Sequence, residues 1–390
     1  MKKTVLALAV VATLSTASYA QSTSNVTLFG TVDAAVAASD NGAPVNSHAA
    51  SLTSGTLSGS FWGVRGSEDL GGGLKANFML QAGLDVDTGA GKTYSGNPTT
   101  ATPALPGGAP VVGLFNRRSY VELEGKFGSV AAGRDYTPLY WVVKESDPLN
   151  LGLYGNAQAV TQISGTSSDR FARASNAVFY VSPAVGGFQG RLMYSLGSES
   201  AGFSGVATPT TPPPKDANHM AGVSLNYTLG GWVVTAAYQA LKLPMVAGTG
   251  ATAVFTGTTG TRKDTVIGSK YNFGDFMLAA GYMKIQQPIL NTDGHDVWLG
   301  GTAALGPGTV LLELQRIRLE ATTGAEKKGT IFALGYVYNL SKRTAVYASL
   351  GEVNNNATGT FALASNDNQV AAGAAGGHVK ALATGIRHNF

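Results

Sequence analysis

Seven short turn signals constrain this chain most, because each one separates two runs in which apolar and polar residues alternate with the period of a β-strand. Gly, Pro, Asn and Asp supply the backbone conformations that tight turns require. The seven signals are residues 68–72, 125–128, 183–187, 229–231, 272–275, 305–308 and 340–343. Each signal joins two strands, and one further alternating run near each end of the sequence raises the predicted count to sixteen.

The two outermost runs, residues 26–36 and 379–390, are predicted to pair with each other. An even number of strands lets the first and last strands meet antiparallel, which leaves no open sheet edge. The last run places Phe390 on one face and Arg387 on the other. We therefore predict an all-β fold, an antiparallel barrel of sixteen strands that closes between its two ends.

Composition indicates that this barrel crosses a membrane. Lys2 and Lys3, followed by the apolar stretch 5–14, have the pattern of a secretory signal peptide, so we expect residues 1–20 to be removed and residues 21–390 to form one barrel domain. Only 13% of all residues are charged, against ~25% in soluble domains, and no apolar run after the signal is long enough for a transmembrane helix. Transmembrane barrels fit this composition, because their strands are apolar on one face only.

Composition and motifs also argue against several other functions. Without residues 1–20 the chain loses two of its 27 basic residues and none of its 23 acidic ones, and the resulting net charge of +2 gives no reason to expect nucleic-acid binding. Residues 87–93, DTGAGKT, lack the first glycine and the strand–helix context of a phosphate-binding loop. The five histidines lack metal-ligand spacing, and no Ser–His pair can be placed on one face. We expect no enzymatic activity, no cofactor and no metal site.

Long polar segments separate the hairpins. They are residues 39–58, 87–113, 198–218, 246–262 and 354–377. Short turns on one rim and long loops on the other are typical of outer-membrane barrels. A soluble β-sandwich could also have many strands and long loops, but it would need a doubly covered core, which this alternation does not favour.

Charged residues identify the face of each strand that lines the lumen. A charge on the lipid face costs up to a few kcal/mol at mid-bilayer. The faces that carry Asp33, Arg65 and Arg118 are therefore predicted to be lumenal, together with Phe61 and Glu122 on the same faces.

Short motifs recur in a fixed order along the chain. They are VTLFG at 26–30, GVRGSEDLG at 63–71, NRR at 116–118, GRDYTP at 133–138, RASN at 173–176, LSKRT at 340–344 and GIRHNF at 385–390. In this order they resemble the trimeric general porins of the β-proteobacterial outer membrane. The resemblance implies a homotrimer among outer-membrane lipid and lipopolysaccharide, and recognition of the Phe390 strand by the barrel-assembly machinery. It also implies passive diffusion of small hydrophilic solutes and ions.

The resemblance further implies a third long loop folded into the pore, with acidic groups that face basic groups on the opposite wall. This loop would run from Arg134 to about residue 170 and carry Glu145, Asp147 and Asp169. The implied basic positions are Arg65, Arg118, Arg134, Arg173 and Arg387, and the wall also carries Asp33 and Glu122. Arginine keeps its charge at any physiological pH, and charged rings set ion selectivity, so we expect a weak preference for anions.

Two aromatic residues depart from the family pattern. Phe61 and Phe179 stand at inward positions where the family often has arginine. Their presence weakens the expected anion preference, or it adds an apolar surface that favours one class of solute. A substrate-selective porin, and a barrel that acts mainly as an adhesin or receptor through its long loops, are therefore the alternative interpretations.

Overall fold

The computed structural model describes most of the chain. The described residues are 25–92, 113–164, 172–197, 216, 218–247, 254–287, 291–321 and 324–390, so the predicted signal peptide lies outside them. The strands are β1 (Asn25–Asp40), β2 (His48–Ser54), β3 (Phe61–Gly71), β4 (Leu74–Gly83), β5 (Arg118–Gly125), β6 (Gly128–Tyr136), β7 (Arg173–Val181), β8 (Phe188–Ser195), β9 (Met220–Leu229), β10 (Trp232–Ala247), β11 (Val254–Phe273), β12 (Phe276–Gln287), β13 (Thr292–Leu305), β14 (Gly308–Ala321), β15 (Lys327–Asn339), β16 (Thr344–Asn355), β17 (Leu363–Ala364), β18 (Gln369–Val370) and β19 (His378–Asn389). Between β6 and β7 lie a helix, α1 (Pro138–Ser146), and a 3₁₀ helix (Ala157–Ser164). None of the helices within the described ranges is long and apolar enough to cross a membrane.

The main sheet is antiparallel and closed, as the sequence predicts. All seven turn signals fall between consecutive paired strands. Strand β19 pairs with β16 on one side and with β1 on the other, where Arg387 lies opposite Asp33. The Phe390 backbone exchanges two hydrogen bonds with Gly30, at 3.0 and 3.1 Å, which extends the seam to the end of the sequence.

The second position of the barrel is shared by two strands. Strand β3 pairs with the first part of β1, and β2 pairs with the second part. Residues 55–60 leave the sheet between them, and the Asp33 carbonyl accepts a hydrogen bond from Gly55 N at 3.0 Å. The seventeen paired strands of the described chain therefore fill sixteen positions, which confirms the predicted sixteen-stranded barrel.

Two of the predicted loops contain long strand segments. Residues 246–262 were expected to form a loop, but β10 continues to Ala247, β11 begins at Val254, and Pro244 pairs with Thr259. Residues 39–58 likewise include β2. These stretches are rich in Ser, Thr and Ala, so they lack the apolar alternation of the membrane belt. Their backbone groups nevertheless pair across the hairpin, because β-branched threonine fits an extended strand.

Side chains alternate between an apolar outer face and a mixed inner face. On β14, Leu312 and Leu314 are exposed, whereas Glu313, Gln315 and Ile317 are buried. Exposed leucine on one face of a closed barrel forms the lipid-facing belt. The buried face of this strand is therefore the inner face, and another part of the chain must cover it.

The segment between β6 and β7 covers that inner face. Thr137 caps α1 by accepting a hydrogen bond from Tyr140 N at 3.1 Å, and Pro138 begins the helix with a suitable backbone angle. Trp298 on β13 donates from Nε1 to the carbonyl of Ser146 at 2.9 Å. These contacts place α1 against the inner face of the wall.

Beyond α1 the same segment is held by further strands. Tyr154 N donates to Ser349 Oγ on β16 at 2.9 Å, and Gln315 Nε2 on β14 donates to the carbonyl of Gly155. The apolar side chains of the segment are buried among those of β11–β16. The segment is therefore anchored to the inner face of the wall along β11–β16.

Candidate functional site

One side of the channel carries a cluster of arginines around a single tyrosine. Arg173 Nη2 donates to the Tyr136 hydroxyl at 2.9 Å, and its Cζ lies 4.6 Å from the centre of the ring. Arg117 Nη2 donates to the same hydroxyl at 3.4 Å. The Tyr136 ring is stacked on that of Tyr140, with the ring centres 4.1 Å apart. Strands β6 and β7 and helix α1 thus fix the guanidinium groups on a common aromatic surface.

Arg118 extends this cluster along β5. Its guanidinium makes two hydrogen bonds to Asp135, from Nε to Oδ1 at 2.6 Å and from Nη2 to Oδ2 at 2.9 Å. Cζ of Arg118 lies 5.6 Å from the centre of the Tyr136 ring. This fork geometry holds the arginine in one orientation.

A polar cavity of about 500 Å³ adjoins the arginines. Lys92 Nζ lies 2.9 Å from Asp85 Oδ1 and 3.2 Å from Asp367 Oδ2. Arg117 Nη1 is 3.7 Å from the same oxygen of Asp367. Tyr140 and residues 364–369 also line the cavity, so it lies between the inserted segment and the last long loop.

Helix α1 presents a second set of charges. Cζ of Arg191 lies 5.2 Å from the centre of the Trp141 ring, and Lys144 Nζ lies 5.7 Å from it. Glu145 forms an ion pair with Lys270 on β11 at 2.6 Å. Within the described part of the chain, no salt bridge joins Arg191 or Lys144 to a carboxylate.

Positive groups outnumber negative ones around the cavity and α1. We call this set the constriction residues: Lys92, Arg117, Arg118, Lys144, Arg173, Arg191 and Lys270, with Asp85, Asp87, Asp135, Glu145 and Asp367. Among the residues that the structure describes, seven cations against five anions give this set a net positive charge.

The residues expected in the pore are distributed between the constriction residues and other parts of the wall. Arg118, Arg173 and Glu145 are among the constriction residues. Arg65 is exposed on β3 with Cζ 4.9 Å from the centre of the Phe29 ring, and Glu122 accepts from Asn77 Nδ2 at 3.0 Å on β5. Arg387 donates from Nη1 to Ser58 Oγ at 3.3 Å. Asp169 lies outside the described residues.

Asp33 and Asp147 were expected as pore charges, but both carboxylates are buried. Asp33 accepts from Ser58 N at 2.8 Å and from the Tyr347 hydroxyl at 2.6 Å, so it holds residues 55–60 against the wall. Asp147 accepts from the backbone nitrogens of Leu149 and Leu151 at 2.8 and 2.7 Å. Burial raises the pKa of the Asp147 carboxyl above its ordinary value. Both side chains are almost fully buried and organise the backbone around them.

Arg134 does not share the face of Arg118. The register pairs Arg134 with Ser119, the residue that follows Arg118 on β5, and directly paired residues project to the same side of a sheet. Its Nε donates to the carbonyl of Asn116 and its Nη1 donates to Ser175 Oγ, both at 2.7 Å. The Arg134 side chain therefore leaves β6 on the face opposite to that of Arg118, next to a register shift between Gly133 and Asp135.

The two unusual phenylalanines lie in different surroundings. Phe61 is partly exposed, and the Cζ of Arg117 lies 5.3 Å from its ring centre. Phe179 is buried in a cluster with Ala131 and Met193 on the inner face. Phe61 is thus in contact with one of the constriction residues.

Arg117, Lys92, Asp367 and Arg191 are constriction residues that sequence reasoning missed. Arg117 precedes the first residue of β5, so counting alternate positions from Arg118 assigns it to the outer face. Lys92 and Asp367 lie outside the strands, where alternation carries no information. The charged triplet NRR at 116–118 was the available signal for Arg117.

A closed antiparallel barrel with an apolar outer belt and a charged inner site is a pore-forming outer-membrane protein. The family model described as Gram-negative porin matches residues 7–358. Outer membrane porin protein 32 of Delftia acidovorans is 32% identical over 399 residues, and an outer membrane porin protein of Bordetella pertussis is 25% identical over 430, with 100% of each chain covered in both cases. The solved anion-selective porin from Comamonas acidovorans is 28% identical, has a TM-score of 0.74, and covers 94% of this chain and 100% of its own. The chain belongs to the Gram-negative porin family, and it is a porin of the outer membrane.

Proposed function

We propose that this porin conducts small hydrophilic solutes and ions through a constriction between the inserted segment and residues 364–369, with a weak preference for anions. The excess of cations among the constriction residues carries this proposal. Charged side chains that line a pore raise the local concentration of counter-ions and set its selectivity. Solutes move down their own gradients, and we propose that the site catalyses no reaction.

The preference for anions is proposed to be weak because carboxylates compensate several of the cations. Arg118 is compensated by Asp135, and Lys92 is compensated by Asp85 and Asp367. Arg191 and Lys144 add positive charge beside α1. The relative from Comamonas acidovorans, whose title describes it as anion-selective, agrees with this direction.

Reversal potentials under a salt gradient test this proposal. A porin reconstituted in a planar bilayer between unequal KCl solutions should show a potential whose sign corresponds to chloride carrying more current than potassium. Arg191→Gln should move that potential toward the cation side, whereas Lys342→Gln at a tight turn on the opposite rim should leave it unchanged. An unchanged potential in the Arg191 variant would remove Arg191 from the ion path.

A substrate-selective channel is the second candidate, and the aromatic surface beside the arginines favours it. Arg117 lies over Phe61, while Tyr136 and Tyr140 form a stacked pair beside Arg173. A flat carboxylate could contact an aromatic ring and a guanidinium at once. Saturable block of chloride current by benzoate, absent with acetate at the same concentration, would support this candidate over general diffusion.

We further propose that three copies assemble as a homotrimer. The Arg134 side chain supports this, because it leaves β6 on the face opposite to that of Arg118, where a subunit interface would shield a charge that is costly to expose to lipid. The terminal strand, where Phe390 pairs with Gly30, is the segment that we propose the barrel-assembly machinery recognises. Cross-linking of the purified porin tests the trimer, and Phe390→Ala tests assembly through the yield of folded barrel in the membrane.

A further inference from the structure

The last long connection of the barrel, between β16 and β19, turns inward. Residues 361–370, which we call the strap, contain the β17–β18 hairpin. Leu363 is fully buried, and a Cβ atom at Gly351 on the inner face of β16 would lie 3.1 Å from its methyl groups. A Cβ atom at Gly329 on β15 would lie 2.9 Å from the Phe361 ring. Glycines in the wall therefore leave room for the strap to lie inside the barrel.

The strap is hydrogen-bonded to the inserted segment between β6 and β7. Gly155 N donates to the carbonyl of Ala364 at 2.8 Å. The side-chain amide of Gln162 accepts from Ala362 N at 2.6 Å and donates to the Ala362 carbonyl at 2.9 Å. These bonds join the strap to both the tip of the segment and its 3₁₀ helix, so the two elements form one layer against the wall.

Asn366 connects the strap to two other inward elements at once. Its Nδ2 donates to the carbonyl of Leu151 in the inserted segment at 2.7 Å. Its Oδ1 accepts from Gly59 N, in the excursion at residues 55–60, at 2.6 Å. An amide side chain can donate and accept at the same time, and here each of its groups is bonded to a different element. Asn366 is therefore the point where the strap, the segment and the excursion meet.

The residue that follows Asn366 carries the charge of the strap. Asp367 N donates to the carbonyl of Gly55 at 3.1 Å, which fixes the backbone of the strap on the excursion. The Asp367 carboxylate then lies 3.2 Å from Lys92 Nζ and 3.7 Å from Arg117 Nη1. The docked position of the strap therefore decides where this carboxylate stands in the cavity.

We infer that the strap sets the size limit for solutes, and that Asn366 is the positioning residue that keeps the strap docked. This inference rests on the proposed conduction through the constriction. A docked strap fills part of the lumen beside the inserted segment, so its release widens the pore. Loss of one ordinary hydrogen bond shifts such an equilibrium about fivefold, and loss of two shifts it about thirtyfold.

Single-channel recordings of the full-length porin in the presence of polyethylene glycols of graded mass test this inference. A polymer that enters the pore lowers its conductance, and a polymer that is too large does not. In Asn366→Ala we expect larger polymers to enter, and a level of higher conductance to be occupied about thirtyfold more than in the native porin. The matched control is Asn356→Ala. Asn356 also makes two side-chain bonds to backbone, from Lys328 N and to the Glu326 carbonyl, both at 2.9 Å, but neither reaches the inserted segment. The control should keep the native size limit.

Thermal unfolding, measured for each variant, separates a positioning role from a merely structural one. A native size limit in Asn366→Ala, whether or not the variant unfolds earlier, would overturn the inference, and so would an equal rise of the limit in Asn356→Ala. If Asn366→Ala yields no conducting barrel, Gln162→Ala is the second test, because it removes both side-chain bonds to Ala362. A native size limit in that variant would also overturn the inference.

The reversal potential of the native porin keeps this test independent of the proposed selectivity. A potential of cation-selective sign, together with a raised size limit in Asn366→Ala, would contradict the preference for anions and support the role of the strap. A potential of anion-selective sign with an unchanged size limit would do the reverse.

Discussion

Arg173 and Tyr136 fix each other at the entrance to β7: the guanidinium donates to the hydroxyl at 2.9 Å and lies 4.6 Å from the ring centre. Tyr136 is the last residue of β6, and Arg173 is the first of β7, so this contact closes the base of the inserted segment. The same hydroxyl accepts from Arg117, which belongs to the cavity wall. One tyrosine therefore connects the fold of the segment to the charge of the channel.

Removal of this hydroxyl should loosen the arginines. Tyr136→Phe leaves the stacking on Tyr140 but deletes the acceptor for Arg173 and Arg117, at a cost of about 1 kcal/mol in the free energy of unfolding. We expect greater open-channel current noise than in the native porin, because the guanidinium groups become mobile. Tyr180→Phe is the control, since that hydroxyl donates to the Phe127 carbonyl near a tight turn. Equal noise in Tyr136→Phe and the native porin would contradict this account.

Neutralisation of Asp367 should strengthen the preference for anions. Its carboxylate lies within 4 Å of Lys92 and Arg117, so Asp367→Asn leaves both cations with less compensation. A unit charge at contact distance in water is worth about 1 kcal/mol, so the chloride-to-potassium permeability ratio should rise, by up to about fivefold. Asp275→Asn, in a tight turn, should have no effect on the reversal potential. An unchanged ratio for Asp367→Asn would show that Asp367 lies outside the ion path.

Trp298 should stabilise the inserted segment. It is fully buried, donates to the Ser146 carbonyl, and its ring occupies the space where a side chain at Gly281 would lie. Trp298→Ala should lower the free energy of unfolding by about 3–5 kcal/mol, and Trp298→Phe should lower it by less. We expect frequent brief closures in recordings of the alanine variant, because α1 loses an anchor. Trp232→Phe, on the exposed outer face, is the control and should change neither thermal unfolding nor the frequency of closures. If Trp298→Ala closes as rarely as the native porin, Trp298 does not have this role.

Stability should decrease as the pH rises, because of the buried carboxyl of Asp147. Burial raises its pKa above the ordinary 3.8, and the buried carboxyl of Glu313 on β14 lies close enough to influence it. A raised pKa means that the folded state favours the protonated form. The carboxyl therefore contributes its full stabilisation at a pH below its ordinary pKa. This stabilisation is lost as the pH rises through the raised pKa of the folded state.

Glu313→Gln tests this pH dependence. The glutamine amide can donate a hydrogen bond to Asp147 and does not titrate. The variant should therefore lose less stability than the native porin as the pH rises from about 4 to alkaline values. Thermal unfolding in detergent across this range measures the difference, and Glu320→Gln on the exposed face of the same strand is the control. A pH profile of Glu313→Gln that matches the native profile would exclude this carboxyl pair as the cause.

The barrel could be predicted from the sequence because the patterns that indicate it involve neighbouring residues. Turn residues and period-two alternation depend on adjacent positions, and they located all seven turns and the pairing of β1 with β19. The strands were harder to predict where they extend beyond the apolar belt. Residues 246–262 look like a loop by composition, but their backbone pairs as a strand.

The site could be predicted only in part, because the burial of a charged side chain depends on residues that are distant in the sequence. Asp33 faces inward as predicted, yet the excursion at 55–60 and the Tyr347 hydroxyl cover it. Asp147 is buried by backbone groups of its own segment. Alternation along β6 puts Arg134 on the same face as the exposed Val130, so its assignment to the pore came from the resemblance and not from the period of the strand.

The reversal potential of the native porin tests the central claim most directly. In a planar bilayer with a tenfold KCl gradient, the account predicts stable conducting steps and a potential of the sign given by chloride as the majority carrier. In the double variant Arg117→Gln/Arg191→Gln, the potential should move toward the value for potassium. A native potential of cation-selective sign, or one that the double variant leaves unchanged, would contradict a channel governed by these arginines.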